Sequence, residues 1–248
     1  MATKLNAASA LYWLPRLQNG RGIGLPLPFT EVVPYDHRAI MAMLENDGDA
    51  TPWLELVGKV QEAGETIGYP VFLRTDLASA KHDGPGGYLA EGRNYVASRL
   101  SATIEDNEAK FWMGGPVPKA ILVRQFLRLK HYFTAYDGLP IAREYRVFVN
   151  MGRMMCMHPY WPEAAVEEGN PSHDNWREMM HVMYGGLQTP GMDTPLLQGM
   201  AEVAATKCGG YWSVDFAQDV DGAWWLIDMA PGVESWHPED CPNAEGEA

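Results

Sequence analysis

Cysteine is scarce in this 248-residue chain and does not cluster: Cys156, Cys208 and Cys241 form no CxxC pair and are odd in number. Even if two of them paired a thiol would be left over, and a reducing, cytoplasmic setting fits best. The seven histidines show neither HxxxH nor HxH spacing, which argues against a zinc site. No GxSxG, GxGxxG or Walker A pattern occurs, so nothing points to a serine-hydrolase elbow, a dinucleotide fold or a P-loop. No run approaches the ~20 unbroken apolar residues of a membrane span, and the apolar stretch near the N-terminus is too short and interrupted for a secretory leader. Basic residues are few as well. Nineteen Lys and Arg against 32 Asp and Glu give a net charge of −13, which disfavours non-specific binding to nucleic acid or anionic membranes.

What is present suffices for a folded core, since 46% of residues are hydrophobic and 21% charged. The length suits one core with lobes rather than separate domains. The basic residues are uneven: 12 of the 19 lie between positions 74 and 153. This order suggests an anion site first and a cation site later, although a solvated basic face would look the same.

Residues 1–50, with GRGIGLPLP, give only a weak strand or loop signal. Thr51-Pro52 opens a helix that Leu54, Val57, Val60 and Ile67 continue to Gly68. Tyr69–Arg74 reads as a strand, followed by the flexible polar stretch TDLASAKHDGPGG. Leu89, Val96, Leu100 and Ile104 share a helical face, and Ile121–Leu127 reads as a largely buried strand. Asp137-Gly138 and Met151-Gly152 mark hairpin turns, the second between strands Arg143–Asn150 and Arg153–His158. Residues 159–174 read as a surface loop, with helices near Asn175–Tyr184 and Pro195–Lys207. Strands Tyr211–Ala217 and Trp224–Met229 follow, joined by a turn that resembles a calcium loop in outline but lacks the later glutamate. These signals divide the chain into an N-terminal region (1–65), a core (66–236) and a disordered acidic tail (237–248).

Three constellations carry chemistry. Arg74 and Lys81 straddle the flexible stretch with Ser79 between them, so two cations and loop amides could converge on a polyphosphate, although a basic residue ending a strand is also readily solvated. In Arg143–Val149 the strand period puts Glu144, Arg146 and Phe148 on one face, either lining a cleft or forming an exposed cross-strand ion pair. Asp215 and Asp228 sit in otherwise apolar strands that a hairpin would lay side by side. Two neighbouring carboxylates repel unless a hard cation such as Mg²⁺ lies between them. Alternatively, one of them caps a turn or pairs with Arg146.

In this order the three segments resemble the ATP-grasp superfamily, over roughly Tyr69 to Pro231. They are most similar to the branch that holds the assembly chaperones of eukaryotic translation initiation factor 2 (the cell division cycle family) and related phage and bacterial proteins. PVFLRTDLASAKHD matches that branch's basic strand end and serine-and-lysine loop without a gap. Ile121–Leu127 resembles its adenine-reading hinge strand, REYRVFV its Glu-aromatic-Arg strand, and YWSVDFAQDVDGAWWLIDMAP its metal-binding hairpin. The resemblance implies an α+β fold in which two α+β lobes hold ATP between antiparallel sheets. It also implies roles: Arg74, Ser79, Lys81, Glu144 and Arg146 toward ATP and its phosphates, Arg124, Gln125 and Phe126 near adenine, Arg146 and Lys81 as catalytic cations, and Asp215 and Asp228 as Mg²⁺ ligands. Two departures stand out. Ala230 replaces the asparagine the branch places two residues after the second aspartate, and His158-Pro159-Tyr160 replaces a Gln-Arg pair.

The reaction so implied joins a carboxylate to an amine through an acyl phosphate, with ATP and Mg²⁺ as cofactors and an unknown carboxylate and amine, a peptide or protein among the candidates, as substrates. Replacing Asp215 by Asn is then expected to abolish turnover and leave the fold intact. A second reading is an ATP-binding assembly chaperone or protein-interaction module without turnover; a third is a kinase. The setting is the cytoplasm, the host's if a phage encodes the chain.

Overall fold

The computed structural model describes residues 6–18, 24–44, 48–78, 87–112, 115–185 and 193–243. The chain forms two compact units. One is continuous, residues 28–127; the other is assembled from residues 1–27 and 128–248. The expected boundary at 65–66 therefore falls inside the continuous unit, near the end of helix α3 (Thr51–Ile67).

In the continuous unit β1 (Thr30–Pro34), β4 (Ala120–Gln125), β2 (Val71–Thr75) and the two-residue β3 (Leu89–Ala90) form an antiparallel sheet in that order. Alternation decides what each face does. Val71, Leu73, Ile121 and Val123 join a buried cluster with Leu56 and Val60 of α3 and with Val96, Leu100 and Ile104 of α4 (Val96–Trp112). The helices thus cover one face of the sheet, and Phe72, Arg74, Leu122 and Arg124 occupy the other. Leu89, expected on the helix, belongs instead to the short strand. Helix α2 (His37–Leu44) packs on α3.

The segmented unit is built on a sheet ordered β10 (Trp224–Pro231), β9 (Tyr211–Gln218), β7 (Glu144–Asn150), β8 (Arg153–Pro159), all antiparallel. Helix α7 (Thr194–Cys208) packs on β7 and β9, and α1 (Ala10–Gln18) packs on α7. Tyr12 of α1 stacks on Trp212 with centroids 5.8 Å apart, so Trp212, Val214 and Phe216 face the helices. Arg146, Phe148, Ser213, Asp215 and Asp228 take the opposite face. A second hairpin, β5 (His131–Ala135) with β6 (Leu139–Ala142), carries α6 (Trp176–Met183).

Both hairpin turns form as expected. Met151 and Gly152 have φ of 49° and 78°, the positive pair that a two-residue turn between right-twisted strands requires. Several elements differ from the expectation. Within residues 1–50, where a weak strand or loop signal was expected, strand β1 is accompanied by two helices, α1 and α2. Helix α5 (Glu163–Glu168) interrupts the expected loop 159–174, starting directly after Pro162. Residues 237–243 of the expected disordered tail lie against β8, where Asn243 Nδ2 donates to Met155 O at 2.9 Å. No helix among the described residues is long and apolar enough to cross a membrane.

Candidate functional site

On the helix-free face of the segmented unit, strand register lines up four polar residues. Arg146 of β7 is opposite His158 of β8 on one side and Asp215 of β9 on the other, and Asp215 is opposite Asp228 of β10. Partners in register project to the same face, so one row crosses all four strands. A bulge at Leu226/Asp228 brings Asp228 onto that face; without it the residue opposite Asp215 would be Ile227.

Arg146 and Asp215 form a two-pronged pair. Nε donates to Oδ1 at 2.8 Å and Nη2 to Oδ2 at 2.8 Å. The guanidinium also lies 4.8 Å from the Tyr160 ring centre. Burial by itself would lower the Arg146 pKa, but attraction and hydrogen bonding from Asp215, helped by Tyr160 and Asp228, push it upward instead. The pairing left open by the sequence is therefore realised. It does not exhaust Asp215, because a carboxylate oxygen that accepts one N–H keeps a second acceptor site. Asp228 Oδ1 accepts the Met229 N–H at 3.0 Å. Two carboxylates in register with one arginine fit a hard cation better than a soft one. Ala230 contributes no ligand; beside it are hydroxyls, with Ser213 Oγ 3.3 Å from Ala230 O and 2.6 Å from Ser235 Oγ.

Glu144 has a different environment. It is buried, and its Oε1 accepts from Trp161 Nε1 at 3.2 Å, which ties β7 to the segment after β8. Asp219 closes the β9–β10 turn by accepting from Asp221 N, Ala223 N and Trp225 Nε1 at 3.0, 2.8 and 2.8 Å. Burial opposes ionisation there, yet these bonds hold its pKa below the usual carboxylate value. The segment is a turn, as its sequence indicates.

In the continuous unit Arg74 and Arg124 both lie on the helix-free face and are buried, at 4% and 6% exposure. Two guanidinium groups thus lie on the same side of the sheet. Arg74 Nε donates to Thr75 O at 3.1 Å. Beyond it the chain turns sharply: Thr75 N donates to Ala78 O at 3.0 Å, and the N–H groups of Leu77 and Ala78 point to Thr75 Oγ1. Asp76 fastens this turn to β4 by accepting from Lys119 N and Ala120 N at 2.7 and 3.1 Å. Ser79 and Lys81 lie outside the described residues. At the far end of β4, Gln125 N–H donates to Phe29 O at 2.8 Å, and Gln125 Oε1 accepts from Phe29 N at 3.3 Å. Phe126 follows, half-buried.

One grouping escaped the spacing rules. Cys156 and His158 of β8 meet His237 and Cys241, with all four ligand atoms within 4.8 Å of one another. Motif spacing of the HxxxH kind registers only neighbours in sequence, whereas here the two halves are separated along the chain and brought together by the fold.

The fold agrees with known proteins of low sequence identity. Cdc123 from Schizosaccharomyces pombe superposes with a TM-score of 0.55 at 13% identity, over 90% of this chain and 82% of that one. The D-alanine–D-alanine ligase of Bacillus anthracis, solved with ATP, gives 0.52 at 10% identity over 97% of this chain and 61% of the ligase. The N5-carboxyaminoimidazole synthetase of Staphylococcus aureus, solved with ADP, gives 0.50 at 12% identity over 97% of this chain. The chain spans 62% of a RimK-domain ATP-grasp protein from Sphaerobacter thermophilus and 47% of the synthetase. No curated protein matches it. The model of an ATP-grasp domain, family 3 of its clade, matches residues 62–245, which takes in β2, β4 and the whole row from His158 to Asp228. The chain belongs to that ATP-grasp family.

Proposed function

We propose that this protein binds ATP with Mg²⁺ and uses it to join a carboxylate to an amine. The observation that carries the reading is the row Arg146–Asp215–Asp228 on one face of the sheet, a cation beside two carboxylates in register. Asp215 and Asp228 would hold the metal, which when bound supplies positive charge to the polyphosphate. Phosphate oxygens and water would complete its oxygen shell, since Ala230 cannot. Arg146 is already held in place by Asp215 and would neutralise charge on the transferred phosphoryl group without reorganising. Arg74, with Ser79 and Lys81, would contact the other phosphates, and Arg124, Gln125 and Phe126 the base.

The chemistry then runs in two balanced steps. A carboxylate oxygen attacks the γ-phosphorus and the bond to the β-γ bridging oxygen breaks, leaving ADP and an acyl phosphate. The amine nitrogen attacks the acyl carbon, the carbon–oxygen bond to phosphate breaks, and an amide, inorganic phosphate and a proton result.

Titration calorimetry with ATP, with and without Mg²⁺, on the native chain and on Asp228→Ala tests the first half of this reading. Magnesium-dependent binding that disappears in the variant is the expected result. Absence of binding under every condition would overturn it. A second reading, a nucleotide-dependent assembly chaperone, is favoured by Ala230, which deprives the metal of a side-chain ligand. Release of ADP and phosphate in the presence of carboxylate and amine substrates separates the ligase from the chaperone.

A further inference from the structure

The segment that follows β10 crosses the sheet face that carries Arg146 and Asp215. It leaves β10 through one tight helical turn (Gly232–Glu234) and then passes β9, where Ser235 meets Ser213. Over β7, the Trp236 carbonyl accepts from Arg146 Nη1 at 3.4 Å, and the His237 ring stands edge-on to Phe148 with centroids 4.2 Å apart. It ends at β8, the sheet edge, where Cys156, His158, His237 and Cys241 converge.

We propose that these four side chains bind a zinc ion that fastens the segment to β8. Cys156 and His158 stand two apart on a strand, so they project to the same side as a ready-made half-site. His237 and Cys241, on an irregular stretch, supply the other half. Cys156 Sγ and His237 Nε2 are 3.0 Å apart across 81 positions of sequence, and the His158 and His237 ring centres are 5.0 Å apart. A tetrahedral zinc with bonds of about 2.3 Å to sulfur and 2.0–2.1 Å to nitrogen needs its ligand atoms roughly 3.3–3.8 Å apart, so the Cys156–His237 pair opens by a few tenths of an ångström while the wider separations, up to 4.8 Å, draw in.

The donor chemistry supports the assignment, although burial favours the neutral thiol of Cys156, which would have to lose its proton on binding the ion. His158 Nε2 is buried without a hydrogen-bond partner, a cost that a metal bond would remove. The sulfur and nitrogen donors select zinc over magnesium, the reverse of the oxygen donors at Asp215 and Asp228. With four protein ligands no coordination position stays open, so the ion would be structural rather than hydrolytic. Its effect would be to clip a segment that touches Arg146 onto the sheet edge.

Cobalt substitution of the full-length chain tests this, without nucleotide, so the outcome is independent of ATP binding. Protein purified under reductant, stripped by chelator and confirmed folded by circular dichroism is titrated with Co²⁺. The expected result is the ligand-field spectrum of tetrahedral cobalt with thiolate charge transfer, saturating at one equivalent and bleached by Zn²⁺. The spectrum should vanish in Cys156→Ser/Cys241→Ser and persist in Cys208→Ser. Three results would each overturn the proposal: no tetrahedral spectrum in the folded native chain, a spectrum that survives the double substitution, or a Cys156–Cys241 disulfide in protein isolated from cells with thiols trapped.

Discussion

Replacing Asp215 by Asn should destabilise the segmented unit measurably. The Asp215 and Arg146 side chains expose 7% and 16% of their surface, so the pair behaves more like a buried one than a surface one. Breaking a buried pair by removing one partner costs about 3–5 kcal/mol, because the remaining charge is left desolvated and uncompensated. Two features soften that. Asparagine still accepts one of the two bonds, and the exposed part of Arg146 admits water, which brings the expected loss to about 2–3 kcal/mol. At about 2–4 °C per kcal/mol for chains of this size, the melting temperature should fall by about 4–12 °C. The double substitution Arg146→Met/Asp215→Leu, which removes both charges of the pair and deprives only the half-buried Asp228 of its cationic neighbour, should recover more than half of the loss. Thermal melts of the native chain, the single variant and the double variant measure this. A shift below about 2 °C in Asp215→Asn, or a double variant less stable than the single one, would refute the reasoning. A loss of this size is compatible with the expectation from sequence that Asp215→Asn keeps its fold, but it adds a stability effect to any effect on turnover, since this aspartate also holds Arg146. Asp228 is the better probe of metal binding.

Two further predictions concern parts of the chain away from that pair. Asp219→Ala removes the acceptor for three N–H groups of the β9–β10 turn and should cost about 1 kcal/mol in urea unfolding, the turn being exposed. Because the folded pKa of Asp219 lies below its unfolded value, that contribution is present above about pH 4 and is lost as pH falls through the folded pKa; an equal loss in the variant at pH 7 and pH 2 would refute it. Burial pushes the Cys208 thiol up to about 11 against the pull of Arg16 and Lys207, so in the otherwise cysteine-free variant its alkylation at pH 8 should run about two orders of magnitude slower than that of an unperturbed thiol and rise steeply above pH 10.

Much of the α+β architecture was legible because its elements announce themselves locally. β4 opens with a run of four apolar residues, each hairpin turn carries a glycine at positive φ, Gly138 or Gly152, and the pairing of β9 with β10 follows from a short turn between two apolar strands. That pairing brings Asp215 and Asp228 onto neighbouring strands, but regular register would set Ile227 opposite Asp215, and the bulge that brings Asp228 into line leaves no mark in the pattern. The first fifty residues were harder. Ala10, Trp13, Leu14 and Leu17 are buried at helical spacing, yet Pro15 lies inside that helix and glycines follow, so a breaker signal masked the period. β1 is a five-residue strand ending in proline, too short for alternation to show. The Cys/His grouping was out of reach for another reason. Sequence motifs register ligands that are near along the chain, and these two pairs are near only because the chain after β10 recrosses the sheet.

The interruption of one unit by the other has a consequence for how the chain is made. Lys207 Nζ reaches Leu17 O across 190 positions, and Tyr12 finds its stacking partner only at Trp212. During synthesis α1 therefore leaves the ribosome with Trp13, Leu14 and Leu17 uncovered, and residues 28–127 can complete their own core while it waits. Such long-range closure slows folding and prolongs exposure of an apolar helix. Yield from cells should accordingly respond to chaperone supply and growth temperature more through α1 than through any residue of the interrupting unit.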